Sequence, residues 1–340
     1  MKKRIGFIVL MIFILSGCSS TTSVDDSNSQ IEVLTSFYPM YLLAEEVTKG
    51  VEGIDLYNMA QPQTGCLHDY TLTTKDMQKL DEADVLLING GGMESFLEQA
   101  LQQFPDLVVI DTSLGIDLLD SEHSHNHGHE EEDRDNHDIN EVEPFDHEHE
   151  VESLDGQETY EGEVYGNSHI WLSPSRTEKQ VVNMAKGLAG IVPQDREKID
   201  KNLKVILEQL TELQNEAEVF HHEDEHVNVA IFHEGYGYLT ELFHMNAAVQ
   251  IFVDENEEPS AKELAEAVDE IRHEEIQLYL VADDNGKKYA EILAKECGGE
   301  VIVLNPITGN TTSRESYISA MKNNIGIIKN FVEGGHTNES

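Results

Sequence analysis

From Ile31 onward the apolar residues of this chain switch repeatedly between two spacings, one with every second residue or a short unbroken run, the other with every third or fourth. The first spacing belongs to strands and the second to helices. Ile31 to Phe37 alternates and predicts a strand. Pro39 then sits where a first helical turn begins, and Met40 to Thr48 carries helical spacing that ends near Gly50. Gly53 to Met59 predicts a second strand, Thr73 to Ala83 a helix, Val85 to Ile88 a buried strand, Glu94 to Gln103 a helix and Leu107 to Ile110 a fourth strand. Gly90-Gly91-Gly92 reads as the turn between a strand and a helix.

A second series starts near Tyr165. Ser175 and Glu178 form a capping-box pair. Behind them a helical stripe runs through Val181, Met184, Leu188, Ile191, Ile199, Leu203, Ile206, Leu210 and Leu213 to about Phe220, and Pro193 is expected to kink or split it. The earlier grammar then returns. Strands are expected at Val227 to Phe232, Val249 to Val253, Leu278 to Ala282 and Val301 to Leu304. Helices are expected at Tyr236 to Phe243, from the Ser260/Glu263 box to Arg272, at Lys287 to Glu296 before Gly298-Gly299, and at Ser313 to Val332. Strand alternating with helix predicts an α/β fold of two parallel-sheet lobes, 31–174 and 223–333, joined by a long helix over 175–222, with a flexible tail at 334–340.

The pattern fails in two places, and each adds information. Met1-Lys2-Lys3-Arg4 precedes an apolar run from Ile5 to Leu15 that is short for a membrane span, so 1–17 reads as an export signal. Leu15-Ser16-Gly17-Cys18 resembles a bacterial lipobox, which implies cleavage before Cys18 and lipidation of its sulfur. Two acyl chains hold a protein stably at a membrane, and the polar stretch within 18–30 serves as a linker. The expected location is extracytoplasmic, on the outer face of the bacterial cytoplasmic membrane.

The second failure lies within 122–163. From Glu122 to Glu150, His123, His125, His127, His129, His137, His147 and His149 stand among acids and small polar residues, with hardly an apolar side chain to bury. Such a loop is expected to lack order, and its imidazoles suit transition metals as accessory, weakly held ligands. The formal charge of −44 argues against nucleic acid and anionic membrane surfaces, whose recognition needs cationic side chains, and favours a cation as guest. Much of that charge also serves solubility.

Ligands of open α/β sheets bind beyond the carboxyl ends of strands. His68 follows the second strand, His169 precedes the long helix, and His233 comes directly after Val227 to Phe232. Together they offer a three-nitrogen site suited to tetrahedral zinc rather than to manganese, which favours oxygen donors. No nucleophile elbow or phosphate loop points to an enzyme. His222-Glu223-Asp224-Glu225-His226 fits the pattern of zinc metalloproteases, yet it lies in a run of acids just before a strand, and a solvated helix end is the simpler reading. Cys66 reads as a small buried residue close to His68, and spacing alone does not give the geometry that a disulfide to Cys297 requires.

The order of the lipobox, Phe37-Tyr38-Pro39, His68-Asp69-Tyr70, the histidine-rich insertion, His169-Ile170-Trp171-Leu172-Ser173-Pro174, a long helix, Phe232-His233-Glu234-Gly235-Tyr236-Gly237-Tyr238-Leu239 and Leu304-Asn305-Pro306 resembles the zinc-binding lipoproteins of high-affinity metal ABC transporters. The resemblance covers nearly all of the mature chain. It implies two four-stranded lobes on a rigid backbone helix, Zn2+ held between them by His68, His169 and His233, and a monomer that delivers the ion to an ABC permease with its ATPase. Departures are visible. Asn167-Ser168 stands where relatives often have Asp-Pro, Ser173 replaces an Asp, and no acid occurs in Leu304 to Thr308, where relatives often place a fourth ligand. Water, Asp283, Asp284 or a histidine of the tract could fill that position. The same resemblance admits a surface adhesin, a zinc-buffering lipoprotein, or manganese as the transported metal.

Overall fold

The computed structural model describes residues 30–60, 67, 70–120, 166–218, 227–252, 260–309 and 315–335. Two four-stranded sheets organise them. In the first, β1 (Ile31–Thr35), β2 (Ile54–Asn58), β3 (Val85–Ile88) and β4 (Val108–Asp111) lie in the order β2-β1-β3-β4. In the second, β5 (Asn228–Ile231), β6 (Asn246–Gln250), β7 (Leu278–Val281) and β8 (Glu300–Val303) lie in the order β6-β5-β7-β8. Every pairing is parallel. The helices are α1 (Tyr38–Val47), α2 (Thr74–Glu82), α3 (Glu98–Leu101), α4 (Pro174–Ile191), α5 (Arg196–Glu218), α6 (Tyr236–Leu242), α7 (Ala261–His273), α8 (Asp284–Cys297) and α9 (Tyr317–Gly335).

The two-residue period of the strands sorts their side chains between layers. Val33, Val85 and Leu87 enter a central core with Leu43, Val181, Leu210 and Ile325 from α1, α4, α5 and α9. Their neighbours Leu34 and Leu86 face the other way, onto Leu80 and Leu97. The second sheet repeats the division. Val229, Ile231, Leu278 and Leu280 join the same central core, whereas Ala230, Tyr279 and Val281 meet Ile271 of α7 and Tyr289 and Leu293 of α8. Both sheets are thus covered on both faces, as parallel sheets require, and they share one helical layer between them.

The expected strut is resolved into two helices. Pro193 splits the stripe, and the chain turns back so that Glu178 of α4 accepts hydrogen bonds from Thr211 and Gln214 of α5 at 3.0 and 2.8 Å. The 23-residue α5 is the backbone element. Near its start Asn202 donates to the carbonyls of Val47 and Lys49 in the first lobe, and near its end Glu216 pairs with Lys322 of α9 at 3.7 Å. With Glu178 engaged there, the cap of α4 falls to Ser173, whose hydroxyl accepts from the Arg176 N–H, followed by Pro174 in the first turn. The Ser260/Glu263 box forms as its spacing predicts.

Two elements differ from their expected bounds. The helix expected over Glu94 to Gln103 is cut to a 3-10 turn at Ser95–Leu97 and the four residues of α3, because Glu94 has a non-helical backbone and turns its carboxylate inward. Strand β6 begins three residues before Val249, because Asn246 pairs with Asn228 of β5. Gly90, Gly91 and Gly92 all have positive φ, which explains the triple glycine at that turn. The Cys297 thiol lies 3.7 Å from the Val268 carbonyl. Among the described residues no helix is long and apolar enough to cross a membrane. The export signal, Cys18, Cys66, the histidine-rich tract and the His222 to His226 pattern lie outside the described residues.

Candidate metal centre

His233 stands two residues beyond the carboxyl end of β5, in the short turn that leads into α6. His169 begins a 3-10 turn, Ile170–Leu172, just before α4, and is 1% exposed. The fold brings these residues, 64 positions apart in sequence, into edge contact, with ring centres 4.9 Å apart and planes at 73°. Two imidazoles that each bind one tetrahedral zinc through a nitrogen at about 2.0–2.1 Å have ring centres about 5 Å apart, so the spacing fits a shared ion. His68 lies outside the described residues, as do His123, His125, His127, His129, His137, His147 and His149. Leu67, next to His68 in the chain, is buried in the core that also holds Trp171 and Tyr236. Among the described residues no three His, Cys, Asp or Glu side chains form a metal-sized group.

Asn167 determines which nitrogen of His169 can meet a cation. Its amide NH2 donates to the Glu234 carbonyl at 2.8 Å, which turns its carbonyl oxygen toward the His169 backbone N–H at 3.0 Å and toward Nδ1 at 2.9 Å. An amide oxygen only accepts, so Nδ1 carries the proton and Nε2 the lone pair. This is the device by which outer groups fix a metal-binding histidine. At His233, Nδ1 accepts from the Gly235 N–H at 3.1 Å, and Nε2 is closed off from solvent. Ligation through Nε2 therefore requires that ring to shed a proton or give up its bond to Gly235. Each ring has an aromatic wall. Trp171 lies 5.1 Å from His169 and is braced by Phe37, and Tyr236 lies 5.1 Å from His233.

The loop after β8 closes the same region. The Pro306 carbonyl accepts from the Trp171 indole at 2.8 Å, and the Leu304 carbonyl accepts from the Tyr236 hydroxyl at 2.6 Å. Burial, and after it the charge of Asp283, hold the Tyr236 hydroxyl well above its ordinary pKa, so it remains a donor. Asp283 caps α8 through the Gly286 N–H at 2.7 Å. Among the described carboxylates, Asp283 acts on Tyr236 through its charge, and Glu234 Oε2 is 3.9 Å from His169 Nδ1.

Gly235 lets the two histidine segments meet. Its φ of −60° suits any residue, but an added Cβ would stand 2.7 Å from Leu172 Cδ1 and 2.8 and 2.9 Å from His169 Cβ and Cγ. Gly235→Ala is expected to lower stability by about 1–3 kcal/mol through overpacking, and urea denaturation measures it. An unchanged midpoint would mean that the loop yields without cost. Sequence reasoning singled out the histidines, used Gly235, Tyr236 and Tyr238 only as part of a motif, passed over Arg176 and treated Asn167 only as a departure. Asn two residues before a histidine and aromatics spaced through Tyr236-Gly237-Tyr238 are the signals that were available.

The chain matches the family described as zinc-uptake complex component A, periplasmic (ZnuA), over residues 33–331. It belongs to that family. The high-affinity zinc uptake system protein ZnuA of Bacillus subtilis is 27% identical to it over 96% of this chain and 97% of its own length. The zinc-binding lipoprotein AdcA of Streptococcus pneumoniae is 25% identical over 96% of this chain, which spans only 60% of that longer relative. In fold, the solute-binding protein FpvC of Pseudomonas aeruginosa, solved with Mn2+, superposes with a TM-score of 0.68 at 17% identity, covering 90% of this chain and all of its own. The ZnuA family is one of solute-binding transport proteins, and the two sheets on a shared backbone helix are its fold.

Proposed function

We propose that this chain is an extracytoplasmic lipoprotein that captures Zn2+ between its lobes through His68, His169 and His233 and hands it to an ABC permease for import. The carrying observation is the His169–His233 pair at the cleft, spaced for one tetrahedral ion, with Asn167 directing the Nε2 lone pair of His169 to it. Family membership and the zinc-binding names of the relatives support the cargo. The lipoprotein relative supports the anchor inferred at Cys18. No covalent step is involved. His169 presents a neutral nitrogen donor, His233 does so once its bond to Gly235 is given up, and Trp171, Phe37 and Tyr236 wall the pair.

Imidazole nitrogens suit zinc better than manganese. The fourth donor is water, a carboxylate such as Asp283, or a tract histidine, and the acid-free Leu304 to Thr308 segment leaves this position to one of them. The tract from His123 to His149, dense in imidazole, acts as an accessory collector of the ion. Protons compete for the same ring nitrogens, so zinc affinity should fall between about pH 7.5 and about pH 5.5. A competition titration that gave the same affinity at both values would refute this.

In zinc-starved cells, deletion of the gene is expected to stop growth, and added zinc, but not manganese, should restore it. Growth and zinc uptake left intact by the deletion would end the transport reading. Loss of host-surface binding in its place would favour an adhesin.

A further inference from the structure

The segment from Gly166 to Thr177 carries His169 and is bonded on both sides. Toward the first lobe, Asn89 Nδ2 donates to the Ser168 carbonyl at 2.9 Å and Arg176 Nε to the Asp117 carbonyl at 2.8 Å. Toward the second, the Trp171 indole reaches Pro306, the Tyr317 hydroxyl donates to the Trp171 carbonyl at 2.7 Å, and the Arg176 guanidinium pairs with Glu241 of α6. Asn167 is bonded through every polar group it has: it is 4% exposed, and its backbone N–H, backbone carbonyl, side-chain oxygen and side-chain NH2 are all engaged. The direction in which Asn167 points therefore fixes the His169 ring.

One side chain of the second lobe holds Asn167 by its backbone. The Tyr238 hydroxyl donates to the Asn167 carbonyl and accepts from the Leu119 N–H at 3.2 Å. Leu119 and Asn167 pair as an isolated antiparallel bridge, so a single oxygen ties both of its strands to α6. Tyr238 is fully buried, and burial keeps its hydroxyl protonated as a donor. The Arg176 guanidinium, anchored to Asp117 and Glu241, lies 4.9 Å over its ring and holds that ring in place.

We infer that Tyr238 is a positioning residue for zinc capture: from the second lobe, through Asn167, it sets the place and tautomer of His169. The inference rests on His169 being a zinc ligand. Its physical basis is that the Asn167 carbonyl, left without its donor, permits rotation about the Asn167 Cα–C bond, and that rotation shifts the His169 ring relative to the Asn167 side-chain oxygen. Outer groups of this kind change metal affinity about 10–100-fold when lost.

The experiment uses the full mature chain and compares the parent, Tyr238→Phe, Asn167→Ala and the double variant. Zinc affinity is read by chelator competition, apo stability by thermal melting and the His169 tautomer by nitrogen-15 spectra of the imidazole. Tyr238→Phe keeps the ring and its packing. It is expected to weaken zinc binding about tenfold and to erode the single Nδ1–H tautomer of His169. The double variant should bind no more weakly than Asn167→Ala alone, because Tyr238 acts through Asn167. A lower melting temperature with unchanged affinity and tautomer would make the bond merely structural and overturn the inference, as would additive losses in the double variant. A parent chain that binds no zinc would remove the reading of the site itself.

Discussion

Replacing His233 by alanine is expected to weaken zinc binding about a hundredfold or more. Structural zinc sites bind with about 10–16 kcal/mol shared among four donors, so one imidazole is worth about 3 kcal/mol, or about two powers of ten. The loss has a structural basis. The ring stands 4.9 Å from that of His169, so alanine removes one of the two imidazoles that the fold brings together. The informative set is a competitive zinc and manganese titration of the parent, a variant lacking residues 122–163, and His233→Ala. Deletion of the tract should leave the tight site in place. If it abolished tight binding while His233→Ala did not, the site would lie in the tract and the cleft assignment would fall.

The second large effect concerns stability and pH. Glu94 is buried beside the triple-glycine turn, where its carboxylate accepts from the Ser36 hydroxyl at 2.7 Å and from the N–H groups of Asn89 and Gly90 at 2.8 and 3.0 Å. Burial outweighs these bonds and, with the charge of Asp111, pushes the carboxyl up to about 7 from 4.5. The folded form therefore holds its proton more tightly than the unfolded chain. The resulting stabilisation is complete below about pH 4.5 and is lost as pH rises through about 7, a change of about 3 kcal/mol once the group is fully ionised. Glu94→Gln removes the ionisation. In urea denaturation of the zinc-free protein, the variant should gain about 2–3 kcal/mol on the parent between about pH 5 and about pH 8. Parallel stability curves would show that Glu94 does not titrate in that range. Because Asn89 also donates to the Ser168 carbonyl, the same carboxylate braces the segment that carries His169.

Much of the architecture was legible in the sequence because it depends on local periodicity. Strand and helix alternate in both lobes as the spacing of apolar residues predicts, and the capping box at Ser260 and Glu263 forms as written. The failures have a common cause. Glu178 was expected to cap α4 and instead reaches α5. Glu94 was expected to open a helix and instead turns inward to the backbone of Asn89 and Gly90. The partners of Glu178 lie 33 and 36 positions away and those of Glu94 include Ser36, 58 positions away, and a one-dimensional pattern does not contain that competition.

The candidate site divides in the same way. Sequence by itself pointed to the kind of chemistry: an imidazole just beyond a strand end and another before a long helix, in an acidic chain whose motifs match a zinc-uptake family. Residue type and position relative to a strand end suffice for that. Only the tertiary structure decided that His169 and His233 share one spacing, that Asn167 assigns the proton on His169, and that Tyr238 on the opposite lobe holds Asn167. Tautomer and ligand separation depend on hydrogen bonds between residues as far as 119 positions apart. Such contacts exist only after the two sheets have packed on their common helical layer.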